Sequence, residues 1–291
     1  MPSSPNFRRS TFTLNRAIGA TRSPFTGKTR TQEFDFAAWS ADVTLPPMNR
    51  ATASAWQSFL LELKGTANMF LFNDPDAKTP RGAYDGDSLQ SDIRVNSGSQ
   101  VTSVTLSFSG STITAGTAIF DGLVAGDYFF VDGATNGDNN GTHKIASKTS
   151  DTVVVTSSVL TTESNTASCT VKQNVKGSEG ISLNAVGSNT GSILQGDYLA
   201  IYDGTSLTSN NPVQLVMATE DATLTVVSGF PDRYSLSIQP KLRTDFANDS
   251  RAGFSSTYNK SRFRLSANPV EWSANETSVY SGISFSCTEV I

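Results

Sequence analysis

Turn residues set the rhythm of this chain. Between residues 91 and 174, short apolar runs alternate with Gly, Asn, Asp and Ser about every ten residues: "QVTSVTLSFSG", "GDYFFVDG", "THKIASKTS", "DTVVVTSSVL", "ASCTVKQ". Runs this short cannot bury an amphipathic helical stripe, but they suit the strands of a small sandwich or barrel. One phrase is written twice. "GDYFFVDG" at 126–133 returns as "GDYLAIYDG" at 196–204. Each copy leads through a polar loop ending in Asn139-Asn140 or Asn210-Asn211 to a returning strand, "HKIAS" or "VQLVMA". A third strand follows, "DTVVVTS" or "ATLTVVS". Gly-Asp opens a tight turn in both copies. Asp132-Gly133 and Asp203-Gly204 favour the positive backbone dihedral that ends the strand. The chain is expected to use one three-stranded meander twice.

Composition agrees. Hydrophobic residues make up 37% and charged residues 16% of 291, yet aromatics reach 9%, enough to anchor several small cores in a turn-rich β protein. The flanking segments differ in texture from the middle block. "STFTLNRAI" alternates Phe12 and Leu14 with polar residues, and "QEFDFAAWSADVTL" places Phe34, Phe36, Trp39 and Val43 on one side across a bulge. The sequence therefore predicts a mainly β chain with a β-sandwich core built from 1–90 and 175–291. Residues 91–174 form an inserted small β-barrel or sandwich.

One helix is expected, over about 49–64. Asn49 is placed to cap it, Trp56, Phe59, Leu60 and Leu63 form an apolar stripe, and Gly65 supplies the left-handed stop. Together with Trp39 these side chains are the expected packing residues of the core. "NMFLF" reads as a short strand, and the last segment turns Ile283, Phe285 and Cys287 inward.

The motifs of catalysis are missing from the sequence. The single histidine, His143, lies in a strand-like run with no acid or nucleophile placed beside it. There is no G-x-S-x-G elbow, phosphate loop or Cys/His cluster. "NGDNNG" at 136–141 resembles the start of a calcium loop, but Asn136 replaces the first acid and Ser147 stands where the bidentate Glu belongs. The pairs Asp74 with Asp76 and Asp85 with Asp87 have the composition of a glycosidase dyad, yet both lie in Gly/Pro loops where Asp is an ordinary turn residue. Tyr84, Tyr258 and Tyr280 are candidates for stacking on sugar rings. No enzyme activity, cofactor or metal is expected. Cys169 and Cys287 leave a disulfide open without making a disulfide scaffold.

Net charge is −4, which argues against a specific nucleic-acid binder. No acidic residue precedes Glu33, whereas Arg8, Arg9, Arg16, Arg22, Lys28 and Arg30 are all basic. Such an arm suits contact with an acidic neighbour. Arg243, Arg262 and Arg264 add a basic cluster near the C-terminal strands. The N-terminus has no apolar run to serve as a secretory signal, and no stretch approaches the ~18 apolar residues of a membrane helix.

The order of segments is more telling than any one residue. "FRRSTFTLNRAIGATRSPFTGKTRTQEFDFAAWSADVTLPPM" leads into "AWQSFLLELKG" and "NMFLFNDPDAKTPRG"; later come "GDYLAIYDG", "LSIQPKLR", "SRFRLSANPVEW" and "SFSCTEV". Over 1–90 and 175–291 this series resembles the distal tail proteins at the tail tip of long non-contractile-tailed bacteriophages. The insert is similar to small β-modules of many phage tail proteins. The resemblance implies a structural virion protein, made in the host cytoplasm, whose homohexameric ring joins the tail-tube protein to the tail hub and its receptor-binding or side-fibre proteins. It places Arg8, Arg9, Arg16, Arg22, Arg30, Arg243, Arg262 and Arg264 as candidate intersubunit contacts. The alternative is a carbohydrate-binding or adhesion module in which the insert contacts host-surface glycans; a β-rich glycan hydrolase is the third reading.

Overall fold

A computed structural model describes residues 1–91, 101–202, 204–207, 212–226, 231–275 and 279–291. The chain is mainly β, with one α-helix among the described residues. It begins with β1 (Arg9–Arg22), β2 (Thr29–Thr44), α1 (Arg50–Glu62), β3 (Met69–Phe72) and β4 (Ser88–Ser91). Six strands follow: β5 (Val101–Ser109), β6 (Thr112–Ala115), β7 (Tyr128–Asp132), β8 (Gly141–Ser150), β9 (Val153–Thr156) and β10 (Glu163–Lys172). Then come β11 (Gly180–Ala185), β12 (Ser192–Ile193), β13 (Tyr198–Tyr202), β14 (Pro212–Ala218), β15 (Ala222–Thr223), β16 (Arg233–Gln239) and β17 (Arg251–Gly253). The chain ends with β18 (Ser261–Leu265), β19 (Ser273–Ala274), β20 (Tyr280–Ser281) and β21 (Ser284–Glu289).

The compact units divide the chain elsewhere than the sequence suggests. One unit holds Met1–Lys78, Pro212–Leu215 and Lys260–Ile291; the other holds Thr79–Asn211 and Val216–Asn259. The segments expected to share one sandwich with the N-terminal strands instead complete a barrel of their own. Once β4, β11, β13, β14, β16 and β17 bond in a closed ring, no edge among them remains for the terminal sheet.

The first unit is an open antiparallel sheet in the order β1-β2-β21-β18-β3. The helix lies on it because its stripe is apolar. Trp56 stacks 6.2 Å from Phe285, and Phe59 meets Phe70 edge-on at 5.6 Å. Asn49 caps α1 by accepting the Thr52 amide at 3.0 Å. Gly65 turns the chain out at φ +65°, where a methyl would lie 2.9 Å from the Asn268 Cα. Phe12 stacks on Trp39 at 5.1 Å, and the Trp39 indole donates to the Leu215 carbonyl at 2.9 Å. Ile283, Phe285 and Cys287 alternate inward on the final segment.

The second unit contains two six-stranded closed barrels, save that Pro212–Leu215 of β14 are grouped with the first unit. The inserted one runs β5-β6-β9-β8-β7-β10 and the other, the outer barrel, runs β4-β11-β16-β14-β13-β17. Counted in chain order within each barrel, both circuits are first-second-fifth-fourth-third-sixth. The inserted barrel lies between the first and second strands of the outer one. Its two junctions with the outer barrel meet at one buried residue. Asn174 donates to the Ser91 hydroxyl at 3.0 Å and to the Ser182 carbonyl at 2.8 Å, and accepts the Ser182 amide at 2.8 Å.

The repeated phrase has the same structure in both places. Asp127 and Asp197 each close a tight turn by accepting a main-chain amide three residues back, from Val124 and Leu194, at 2.8 Å in both. Gly126 and Gly196 sit at φ +96° and +92°. Their amides bond to Ile145 and Ala218, whose own amides return to the carbonyls of Asp127 and Asp197 at 2.9 Å. The third strand of the meander differs. "DTVVVTS" supplies β9 of its barrel, but "ATLTVVS" supplies only the short β15, paired with β12; β16 takes the fifth place in the outer barrel. Asp203, Asn210 and Asn211 lie outside the described residues.

Candidate assembly surface

The hairpin β1–β2 is longer than the sheet that carries it. Only Ser40–Thr44 of β2 pair with β21. Towards the turn, from Ile18↔Glu33 to Arg22↔Thr29, β1 and β2 pair with each other beyond the reach of β21. The register shift between Arg16 and Ile18 is the bulge that the sequence suggests. Beyond it the ribbon is exposed on both faces, and Phe34 and Phe36 lie out of the core that Trp39 and Val43 enter. Ile18, Phe25, Phe34 and Phe36 are all exposed there, Phe25 at 95%. Phe34 leans over Gly19, where an added methyl would meet its ring at 3.2 Å. A lone two-stranded ribbon is marginally stable in water, and clustered exposed apolar side chains mark a contact surface. β1 and β3 are the two edges of this sheet, so their outer backbone groups face no strand of the sheet.

Basic side chains follow the ribbon. Arg8, Arg9, Arg16, Arg22, Lys28 and Arg30 are exposed. Arg16 lies 3.6 Å from Glu33, and Arg22 donates to the Gly27 carbonyl at 3.3 Å. The other three arginines differ. Arg262 is half-buried and donates to the Pro212 carbonyl at 3.0 Å, Arg243 is half-buried in the second unit, and Arg264 is exposed on β18. Trp56 and Leu60 are buried to 1%, Trp39 and Leu63 are nearly so, and Phe59 is half-buried. The exposed Phe34 and Phe36 were legible only as strand residues, and nothing in their alternation told an inward face from an uncovered one; Phe25, in the turn, carried no sequence signal of its own.

The remaining candidates have structural partners. Asp74 accepts the Asp76 amide at 3.1 Å, and Asp85 accepts the Thr190 amide at 2.8 Å. Tyr84 is buried and donates to the Ser88 carbonyl at 2.7 Å, while Tyr258 and Tyr280 are half-buried. In the calcium-like loop, Asn136 accepts the Asp138 amide, Asn139 the Thr161 amide and Asn140 the Ala134 amide, so these side-chain oxygens are engaged within the loop. Glu163 accepts from the Thr135 and Asn136 amides, Asn139 and Thr166. Burial pushes its carboxyl up, but these hydrogen bonds prevail and hold it at about 2. His143 is buried, with Nε2 2.9 Å from the Asn139 carbonyl and Nδ1 without a hydrogen-bond partner. Burial lowers its pKa, against the opposing pull of that carbonyl. Cys169 and Cys287 are both free and buried. No group of metal-binding side chains occurs among the described residues, and no described helix is long and apolar enough to cross a membrane.

No protein-family model matches the chain, and no curated protein matches it.

Proposed function

We propose that this chain is a structural subunit that assembles with copies of itself, and that the assembly is the ring at a phage tail tip joining the tube to the hub. The exposed hairpin ribbon carries this reading. Ile18, Phe25, Phe34 and Phe36 need a cover, and a second copy supplies one of suitable charge. Apart from the six basic residues before Glu33, the chain holds 16 basic and 26 acidic residues, a net charge of −10. A basic, partly apolar ribbon reaching an acidic neighbour joins long-range attraction to apolar burial. The open edges β1 and β3 give each copy two unlike borders, the arrangement from which a heterologous contact closes a ring. The resemblance of the segment order to that of distal tail proteins is what suggests the tail-tip placement.

Native mass spectrometry and negative-stain microscopy of the full chain are expected to give rings of one stoichiometry. Phe25→Ser with Phe34→Ser and Phe36→Ser is expected to weaken assembly by about a thousandfold or more, since each Phe forfeits ~1.5–3 kcal/mol of burial. Antibody labelling of assembled virions is expected at one end of the tail. A chain that stays monomeric at high concentration, alone and with its tail neighbours, refutes the proposal.

A further inference from the structure

The two barrels share a strand circuit and a turn, but the turns hold different things. In the outer barrel Asp197 accepts the main-chain amides of Arg81 at 2.6 Å and Gly82 at 2.9 Å. In the inserted barrel Asp127 accepts side-chain donors of the outer barrel: the Ser235 hydroxyl at 2.6 Å and the Arg233 guanidinium at 2.6 Å. Both members of the ion pair are fully buried. Arg233 also donates to the Gly122 carbonyl at 2.7 Å, in the segment leading to the turn. Around this contact, Tyr128 lies flat against Gly180, where a methyl would come 2.1 Å from its ring, and the Glu179 amide donates to Thr142 at 3.0 Å. Lys144 pairs with Glu220 at the rim. Gly180, Arg233 and Ser235 belong to β11 and β16, which pair with each other in the outer barrel.

We infer that the β11–β16 face of the outer barrel is a docking surface for a barrel of its own kind, recognised through the turn aspartate, and that the inserted barrel is a separately cooperative module mounted on it. The recognition chemistry is specific. An apolar or amide side chain at position 127 leaves the Arg233 charge without its partner, and a buried charge so stranded is strongly destabilising. Gly180 shapes the seat, since any larger residue there displaces Tyr128. Separability follows from closure. Each barrel completes its own hydrogen-bonded ring, and the inserted barrel has its own core of Leu106, Phe108, Phe120, Phe129 and Val154. The inference does not depend on ring assembly.

Hydrogen exchange of the full chain, read peptide by peptide, tests it. Asp127→Asn is expected to speed exchange at 122–128 and 179–182 by about a hundredfold while leaving the interior amides of β5, β6 and β9 within about twofold. Arg233→Met combined with Asp127→Asn is expected to recover most of the loss, because the pair is then removed as a unit. Asp197→Asn is the control and is expected to loosen 79–82 without affecting 122–128. If Asp127→Asn prevents folding, Gly180→Ala, which displaces the Tyr128 ring, is expected to give the same pattern and carries the readout. Equal acceleration of β5, β6 and β9 with the junction makes the two barrels one cooperative body and overturns the inference. Unchanged exchange at the junction overturns it too.

Discussion

Asn174 is one of five non-glycine residues with positive φ among the described residues, at +51°, and it is buried with both ends of its amide engaged. Asn tolerates that backbone region better than Ala, and its amide bridges Ser91 and Ser182. Asn174→Ala is expected to cost about 2–4 kcal/mol in urea unfolding, combining backbone strain with stranded polar groups. His143 makes a second prediction, in pH. Its folded pKa lies below the ordinary imidazole value of ~6.5, so the unfolded chain takes the proton first. Its neutral form leaves stability undiminished above that value. Stability then declines as pH falls from ~6.5 towards the lower folded pKa, by at most ~1.4 kcal/mol per pH unit. Melting temperatures between pH 7.5 and 5 are expected to fall in the parent and flatten in His143→Gln. Glu163, held at about 2, stays ionised throughout this range. Thiol reagents are expected to find neither cysteine in the native protein and both after unfolding, since burial pushes Cys287 up to about 12 and also raises Cys169.

At the level of elements, the helix end is a tight fit. A Cβ at Gly65 would approach Asn268 Oδ1 to 2.6 Å at a backbone dihedral of +65°. Gly65→Ala is expected to lower stability by roughly 1–3 kcal/mol, read by chemical denaturation, and Asn49→Ala at the other end by ~1 kcal/mol. The Asn49 cap and the left-handed Gly65 were legible because caps and stops are written in residue type, but the left-handed turn already begins at Lys64, at φ +52°, which residue type does not announce. Also legible were the turn and first two strands of the repeated phrase, since Gly-Asp and Asp-Gly specify turns directly, whereas the expected third strand joins a barrel in only one of the two copies. The partition into units was not legible. "GISLNAVG" and "STFTLNRAI" both read as half-buried strands, and alternation does not say which sheet a strand joins. The paired strands of the outer barrel lie far apart in sequence, with Leu183 opposite Ser91, so their closure has no local signature. The hairpin posed the same difficulty in reverse, because Phe34 and Phe36 continue the period of Trp39 across a bulge into a region with no core.

Viewed whole, the chain places an exposed ribbon on one compact unit and a barrel mounted on a barrel in the other. The first feature concerns neighbours, and the second fixes how the inserted barrel is presented on its support. The nested arrangement also bears on the order in which structure forms. Leu183 can pair with Ser91 only after the intervening chain has brought them together. For an unstructured segment of roughly ninety residues that approach is entropically slow and costly. If the inner barrel condenses first, its ends already lie side by side, with Val101 opposite Val171, and the remaining gap shrinks to about twenty residues, easing closure by ~1 kcal/mol. The inserted barrel would then act as a splint for its host, and refolding should show its amides protected before those of β4 and β11.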